Sequence, residues 1–408
     1  MKNYSLFLRF TILLSVTAIF FNSCKKESGK EYSYFVSKDL LISYDTTYIR
    51  TLFDNASVNY PDINDLKPLV ETDVNVYSLV YSTTINNEEV NASGLLCVPA
   101  DEGEYPVLCF HNGTNTVDAY APSNFVLNPL YQMVEVIAST GYCVIIPDYP
   151  GFGESAHLVH PYLIAEPTVR SIVDMLYAVN ELGDSELPGF SIKNEYYLLG
   201  YSQGGWAAFA MHKALELDYA SDFNLGGSVC GAGPYNLSLL FQEMTNEMSY
   251  PMPVYIGYIV NAYSAYNQFS NPVTDILNEP FASALSSLYT GTLSSDQINN
   301  QLTTSIPELF TADFLAGFAS EPEYSTVREA LANNSISAWN SSKPLYFVHG
   351  GNDTQVSPLT TENIYDAMIQ AGTSPAICIK EIVPGVDHGN GIVPCMLKGL
   401  FFIMSLGK

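Results

Sequence analysis

The sequence predicts an α/β fold: a mostly parallel sheet with helices on both faces, interrupted by one inserted helical segment. Three observations predict it. Short apolar runs that read as buried strands alternate with amphipathic, helix-length stretches from Pro106 to Cys230, and again from Pro344 to Ser405. A Gly-x-Ser-x-Gly sequence, Gly200-Tyr201-Ser202-Gln203-Gly204, stands between such a run and a stretch of helix formers. Polar motifs follow the ends of several strand-like runs, where the chemistry of parallel sheets collects.

Taken in order, the chain begins with Lys2 and Arg9 flanking a mostly apolar run from Phe10 to Phe21, then Asn22-Ser23-Cys24. A basic segment, an apolar segment and a small residue before cysteine describe an export signal. Residues 1–23 resemble a bacterial lipoprotein signal, with Cys24 as the lipidated first residue of a chain anchored to the cell envelope. A plain cleaved signal peptide and a single anchoring helix are the alternatives, and the run is short for a membrane span. Residues 25–38 are polar and read as a tether. Residues 39–72 show only a weak helical pattern near Ile49 to Phe53, so 24–74 is taken as tether and N-terminal extension. Val74 to Thr84 and Val90 to Val98 are rich in β-formers and meet across Asn86-Asn87, which predicts a hairpin at an antiparallel edge.

Pro106 to Phe110 then reads as a buried strand ending in His111-Asn112-Gly113-Thr114. A helix over Leu130 to Thr140 stops at Gly141. The strand Tyr142 to Pro147 ends in Asp148-Tyr149-Pro150-Gly151-Phe152-Gly153, and the helix Thr168 to Leu182 puts Ile172, Val173, Leu176 and Val179 on one face. The strand Glu195 to Leu199 leads into the serine turn and its helix, and Leu225 to Cys230 is a further strand. From 236 to 343 the alternation fails: prolines break up a stretch rich in Tyr, Phe, Met, Leu and Ala, which predicts short helices inserted as a lid. Strand, helix, strand and helix resume at Pro344, Leu359, Ala376 and Val393. The core is therefore 75–235 with 344–408.

Composition excludes several classes. Hydrophobic residues make up 47% and charged ones 14%, so the chain is not disordered. The 42 acids against 16 bases leave no basic surface for nucleic acid. Cys97, Cys109, Cys143, Cys230 and Cys378 lie in apolar strand-like runs and read as small buried residues, with no C-x-x-C pair to suggest a metal. No P-loop, no Gly-x-Gly-x-x-Gly and no other cofactor motif is present.

A serine hydroxyl needs a base within hydrogen-bond reach, and that base needs an acid to hold its tautomer. A strand-turn-helix context strains the serine and offers its hydroxyl at the positive end of a helix, which makes Ser202 the candidate nucleophile. The order Ser…Asp…His, with the base in the loop after the last strand, selects His388. Asp353, just past the strand after the insertion, is the candidate acid; Asp387 competes but neighbours His388 directly. His111 ends a strand, His157 and His160 lie in a polar loop, His212 reads as structural, and His349 reads as shaping a loop. A developing oxyanion needs N–H donors. The backbone N–H of Gln203 is one, and the loop Asn112 to Thr114 supplies the second, with Thr114 favoured.

With these residues in hand, the chain resembles an α/β-hydrolase, and more narrowly the secretory lipase family. The shared features are Gly200-Tyr201-Ser202-Gln203-Gly204-Gly205, the strand end Asp148-Tyr149-Pro150-Gly151-Phe152-Gly153, and a helical lid before the acid-bearing strand. The loop His111-Asn112-Gly113-Thr114 departs from the family's commoner His-Gly opening. The resemblance implies hydrolysis of a small-molecule acyl ester through an acyl-enzyme. An acyltransferase or serine peptidase with the same three residues is an alternative, as is a lipid-anchored binding protein of the same fold.

Overall fold

The computed structural model describes residues 32–183 and 185–407; the signal segment and Cys24 lie outside them. The chain enters as β1 (Phe35–Tyr44) and turns into α1 (Thr46–Ser57), capped by Asp45, whose carboxylate accepts from the Tyr48 N–H at 2.7 Å. β2 (Val74–Ile85) and β3 (Glu88–Pro99) form the expected hairpin. Its turn residues Asn86 and Asn87 both have positive φ, 51° and 65°, the geometry whose twist matches the strands on either side. β4 (Gly103–His111), α2 (Pro129–Glu135), β5 (Cys143–Pro147), α3 (Ala165–Glu181), β6 (Phe190–Tyr201), α4 (Gln203–Leu217) and β7 (Leu225–Gly231) follow. After the insertion come β8 (Leu345–Gly350), the helix Leu359–Gln370, β9 (Cys378–Val383) and the closing helix Ile392–Leu406.

Among the described residues, nine strands form one sheet in the order β1-β2-β3-β5-β4-β6-β7-β8-β9. β1, β2, β3 and β5 pair antiparallel; from β5 to β9 every pairing is parallel. The parallel strands read as unbroken apolar runs because both faces are buried. In β4, Val107 and Cys109 face the layer that holds α3, α4 and the insertion, while Leu108 and Phe110 face α1, α2 and the closing helix. β6 repeats this with Tyr196 and Leu198 on one side and Tyr197 and Leu199 on the other.

Two features differ from the sequence reading. The stretch 25–38 reads as a tether, yet from Phe35 the chain is β1, paired with β2 at the sheet's edge. The helix expected over Leu130 to Thr140 is α-helical only to Glu135 and then tightens into a 3₁₀ turn from Val136 to Thr140, ending at Gly141 with φ 94°.

The insertion leaves the sheet after β7. It opens with α5 (Leu237–Asn246) and α6 (Pro253–Ala265), and short helices carry it on to Ser325–Asn334. Its aromatic residues divide into two groups. Phe310, Phe314 and Phe318 pack with Phe241 and Tyr324 into a core of the insertion itself. Tyr255 and Tyr258 of α6, and Tyr250 just before it, reach loops at the carboxyl ends of the strands. On the other face of the sheet, a cavity of about 290 Å³ is lined by apolar side chains including Phe110, Met133, Leu199 and Met396. It holds no group suited to chemistry. The six described cysteines are free and buried.

Candidate active site

β6 ends at Tyr201 and α4 begins at Gln203, which leaves Ser202 alone between them with φ 60° and ψ −123°. A non-glycine residue held there costs about 1–3 kcal/mol, so the surroundings must over-determine it. The Ser202 N–H donates to the Gly231 carbonyl at 2.8 Å, and the Trp206 N–H donates to the Ser202 carbonyl at 3.1 Å. The flanking glycines make the closeness possible. A Cβ on Gly200 would sit 2.1 Å from the Gly204 carbonyl oxygen, and one on Gly204 would sit 1.9 Å from the His111 carbonyl oxygen. The hydroxyl is less open than a bare strand-to-helix turn suggests: Ser202 is 9% exposed.

The parallel order β6, β7, β8, β9 brings the loops after β6, β8 and β9 to one edge of the sheet. There Ser202 Oγ lies 2.9 Å from His388 Nε2, and His388 Nδ1 lies 2.6 Å from Asp353 Oδ2. His388 is 6% and Asp353 5% exposed. The Tyr201 hydroxyl donates to the His388 carbonyl at 2.8 Å, tying the loop that carries His388 to the strand that leads into Ser202. Asp353 Oδ1 accepts from the N–H groups of Gln355 and Val356, each at 2.9 Å. Asp387 is exposed and turned the other way, accepting from the Asn390 N–H and amide at 2.8 Å.

His349 also touches Asp353, a contact that the sequence reading missed. Its Nε2 lies 3.1 Å from Asp353 Oδ2 and 3.0 Å from the Val356 carbonyl, and its Nδ1 lies 2.8 Å from Thr361 Oγ1. The Val356 carbonyl can only accept, so Nε2 carries a proton and faces Asp353 as a donor. Burial alone would raise the Asp353 carboxyl, but the hydrogen bonds from His349 and His388 outweigh it and hold the group well below the usual carboxylate range. The one sequence signal was the spacing His349-x-x-x-Asp353 at a strand end.

A family model for secretory lipases matches residues 128–384, which contain Ser202 and Asp353. The chain belongs to the secretory lipase family. It is a hydrolase of the carboxylesterase/lipase type, and membership of a secretory family is in keeping with export. Among solved structures, a Legionella pneumophila protein superposes with a TM-score of 0.81 at 22% identity, over 92% of this chain and 99% of the other. The rice cell wall degrading esterase LipA of Xanthomonas oryzae gives 0.76 at 23%, over 91% and 96%. Candida antarctica lipase A gives 0.65 at 17%, over 91% and 81%. At these identities the likeness is one of fold, and the shared fold is that of the α/β-hydrolases. No curated protein matches the chain.

The remaining candidates of this secretory lipase fall as follows. Gln203 begins α4 and is buried, and Gly113 lies against the serine, since a Cβ on it would be 4.0 Å from Ser202 Cβ. Thr114 Oγ1 is 2.9 Å from the Tyr162 hydroxyl. His111 closes β4 beneath the turn, and burial pushes its imidazole down to about 3. His212 lies inside α4, bonded to Ser228 at 2.7 Å and Ser341 at 3.1 Å. His157 is exposed, but His160, read from sequence as part of the same polar loop, is buried. Tyr258 donates to the Asn115 carbonyl at 3.1 Å and Tyr255 to Gln355 Oε1 at 3.3 Å, so α6 bridges the loops after β4 and β8.

Proposed function

We propose that the chain hydrolyses carboxylic esters of apolar acyl groups through a serine-bound acyl intermediate, with Ser202 as nucleophile, His388 as base and Asp353 as its orienting acid. The observation that carries this reading is the pair of contacts at 2.9 Å and 2.6 Å joining the three side chains. Asp353 accepts a hydrogen bond from the Nδ1–H, which keeps the proton on Nδ1 and leaves Nε2 free to take one from Ser202. As Ser202 Oγ bonds to the ester carbonyl carbon, its proton passes to His388 Nε2 and the carbonyl oxygen becomes an oxyanion. The backbone N–H groups of Gln203 and Thr114 are assigned to that oxyanion. Collapse of the adduct breaks the bond to the alcohol, which leaves with the proton from Nε2. Water repeats the sequence on the acyl-enzyme and returns Ser202 free with the carboxylic acid.

Two further assignments belong to this reading. The inserted segment 236–343 acts as the lid and walls the acyl pocket, which is supported by α6 spanning the loops on either side of Ser202. Cys24 carries the lipid that holds the exported protein at the cell envelope, which is supported by the signal pattern of residues 1–23.

The test is turnover of p-nitrophenyl esters of graded acyl length, beside labelling by a fluorophosphonate. Each buried methylene is worth about 0.8 kcal/mol, or about a fourfold step, so kcat/KM should climb to an optimum length. The label should sit on Ser202, and Ser202→Ala should lose both label and turnover. Ester turnover that survives in Ser202→Ala overturns the reading.

A further inference from the structure

His160 lies between β5 and α3, outside the Ser202–His388–Asp353 set, and it is buried. Its Nδ1 is 2.7 Å from the Pro150 carbonyl, which can only accept, so the ring proton resides on Nδ1. Its Nε2 is 2.8 Å from Gln203 Nε2 and therefore accepts from that amide. Burial pushes the imidazole down to about 4, which keeps it in the neutral form this exchange requires. The loop makes room at Gly151, with φ 92°, where a Cβ would sit 2.5 Å from His160 Cα.

An aromatic group surrounds the ring. Phe152, Tyr258, Tyr149 and Tyr162 have centroids 5.0, 5.5, 6.0 and 6.0 Å from it. Tyr162 stacks on Tyr258 at 4.3 Å and 8°, and Tyr258 stacks on Tyr289 of the insertion at 4.6 Å. Two of its hydroxyls reach neighbouring residues of the loop after β4, Tyr162 at Thr114 Oγ1 and Tyr258 at the Asn115 carbonyl, while that of Tyr289 donates to the Val254 carbonyl of α6 at 2.6 Å. One aromatic unit thus touches Gln203 at the start of α4, the loop after β4, and α6.

We propose that His160 is a positioning residue: with the Tyr162–Tyr258 pair it forms a brace that fixes the spacing between the Gln203 and Thr114 backbone donors and couples that spacing to α6. The inference rests on the oxyanion assignment made above. The two donors come from different elements, and an oxyanion hole works only when both reach the same developing charge. A misplacement of about 1 Å can cost about 100-fold in rate, so a brace across the two elements has a catalytic value that packing alone lacks.

The experiment measures kcat and KM per fluorophosphonate-titrated site for wild type, His160→Phe, Gln203→Ala, the double variant and Tyr162→Phe. The inhibition constant of an alkyl boronic acid, a mimic of the tetrahedral adduct, is measured for each. A brace predicts that His160→Phe and Gln203→Ala each lower kcat by about 10- to 100-fold with KM within about twofold. The boronate should weaken in parallel, and the double variant should be no worse than the poorer single. A folded, titratable His160→Phe with wild-type kcat overturns the proposal, as do losses that multiply in the double variant. If His160→Phe does not fold, wild-type kcat and boronate affinity in both Gln203→Ala and Tyr162→Phe overturn it instead. A wild type that neither labels nor turns over ester overturns the function itself, and the brace with it.

Discussion

Asp353 takes four N–H groups on two oxygens: His388 and His349 on Oδ2, Gln355 and Val356 on Oδ1. The carboxylate is thereby fixed in both position and charge before any substrate arrives. Asp353→Asn replaces an acceptor with a donor opposite His388 Nδ1 and favours the wrong tautomer, so kcat should fall by about 10⁴-fold. Asp387→Asn should stay within about twofold, because Asp387 serves only its own turn with Asn390. Steady-state kinetics of the two variants decides between them, and the reverse ranking would reassign the acid. The meeting of Ser202, Asp353 and His388 was legible because a strand-turn-helix context and a fixed chain order narrow the choices. His160 was not. A loop histidine carries no spacing signal, and its burial comes from aromatic residues far away in sequence, such as Tyr258.

Among the elements, α2 carries an unusual load. Glu135 lies on it, wholly buried, where Oε2 accepts from the Tyr44 hydroxyl at 3.0 Å. Burial pushes this carboxyl up from 4.5 to about 8. The folded state therefore keeps a proton that the unfolded chain gives up once the pH passes the ordinary carboxyl range. The protonated pairing is fully stabilising at low pH and is lost as pH rises toward 8. The loss runs at up to about 1.4 kcal/mol per pH unit. Glu135→Gln should melt with wild type at pH 4 and above it at pH 8; parallel melting curves across that range would refute the account. The parallel strands, the hairpin and the sheet-flanking helices were legible because buried strands and amphipathic helices write different periods. β1 was not, since Phe35–Tyr44 is an edge strand with a mostly exposed, partly charged pattern and irregular register. The division of the insertion's aromatics was not legible either, because Phe310 and Tyr258 look alike until their partners are known.

At the scale of the molecule, residues 186 positions apart meet at Ser202 and His388, and only the completed sheet brings them together. If Cys24 bears a lipid, Cys24→Ser should move the protein from the membrane fraction to the soluble one without changing kcat/KM. Unchanged fractionation, with no lipid mass on the N-terminal peptide, would remove the anchor. The six buried cysteines bear on the same journey. Burial pushes every one of their thiols up, so the folded protein offers almost no thiolate to an oxidant. Before folding, the same six sulfurs are open to pairing in any oxidising compartment, and none of the pairs would belong to the native chain. Export therefore sets a clock: the sheet must close over its sulfurs before the surroundings join them, and a chain that loses that race is locked out of its own fold.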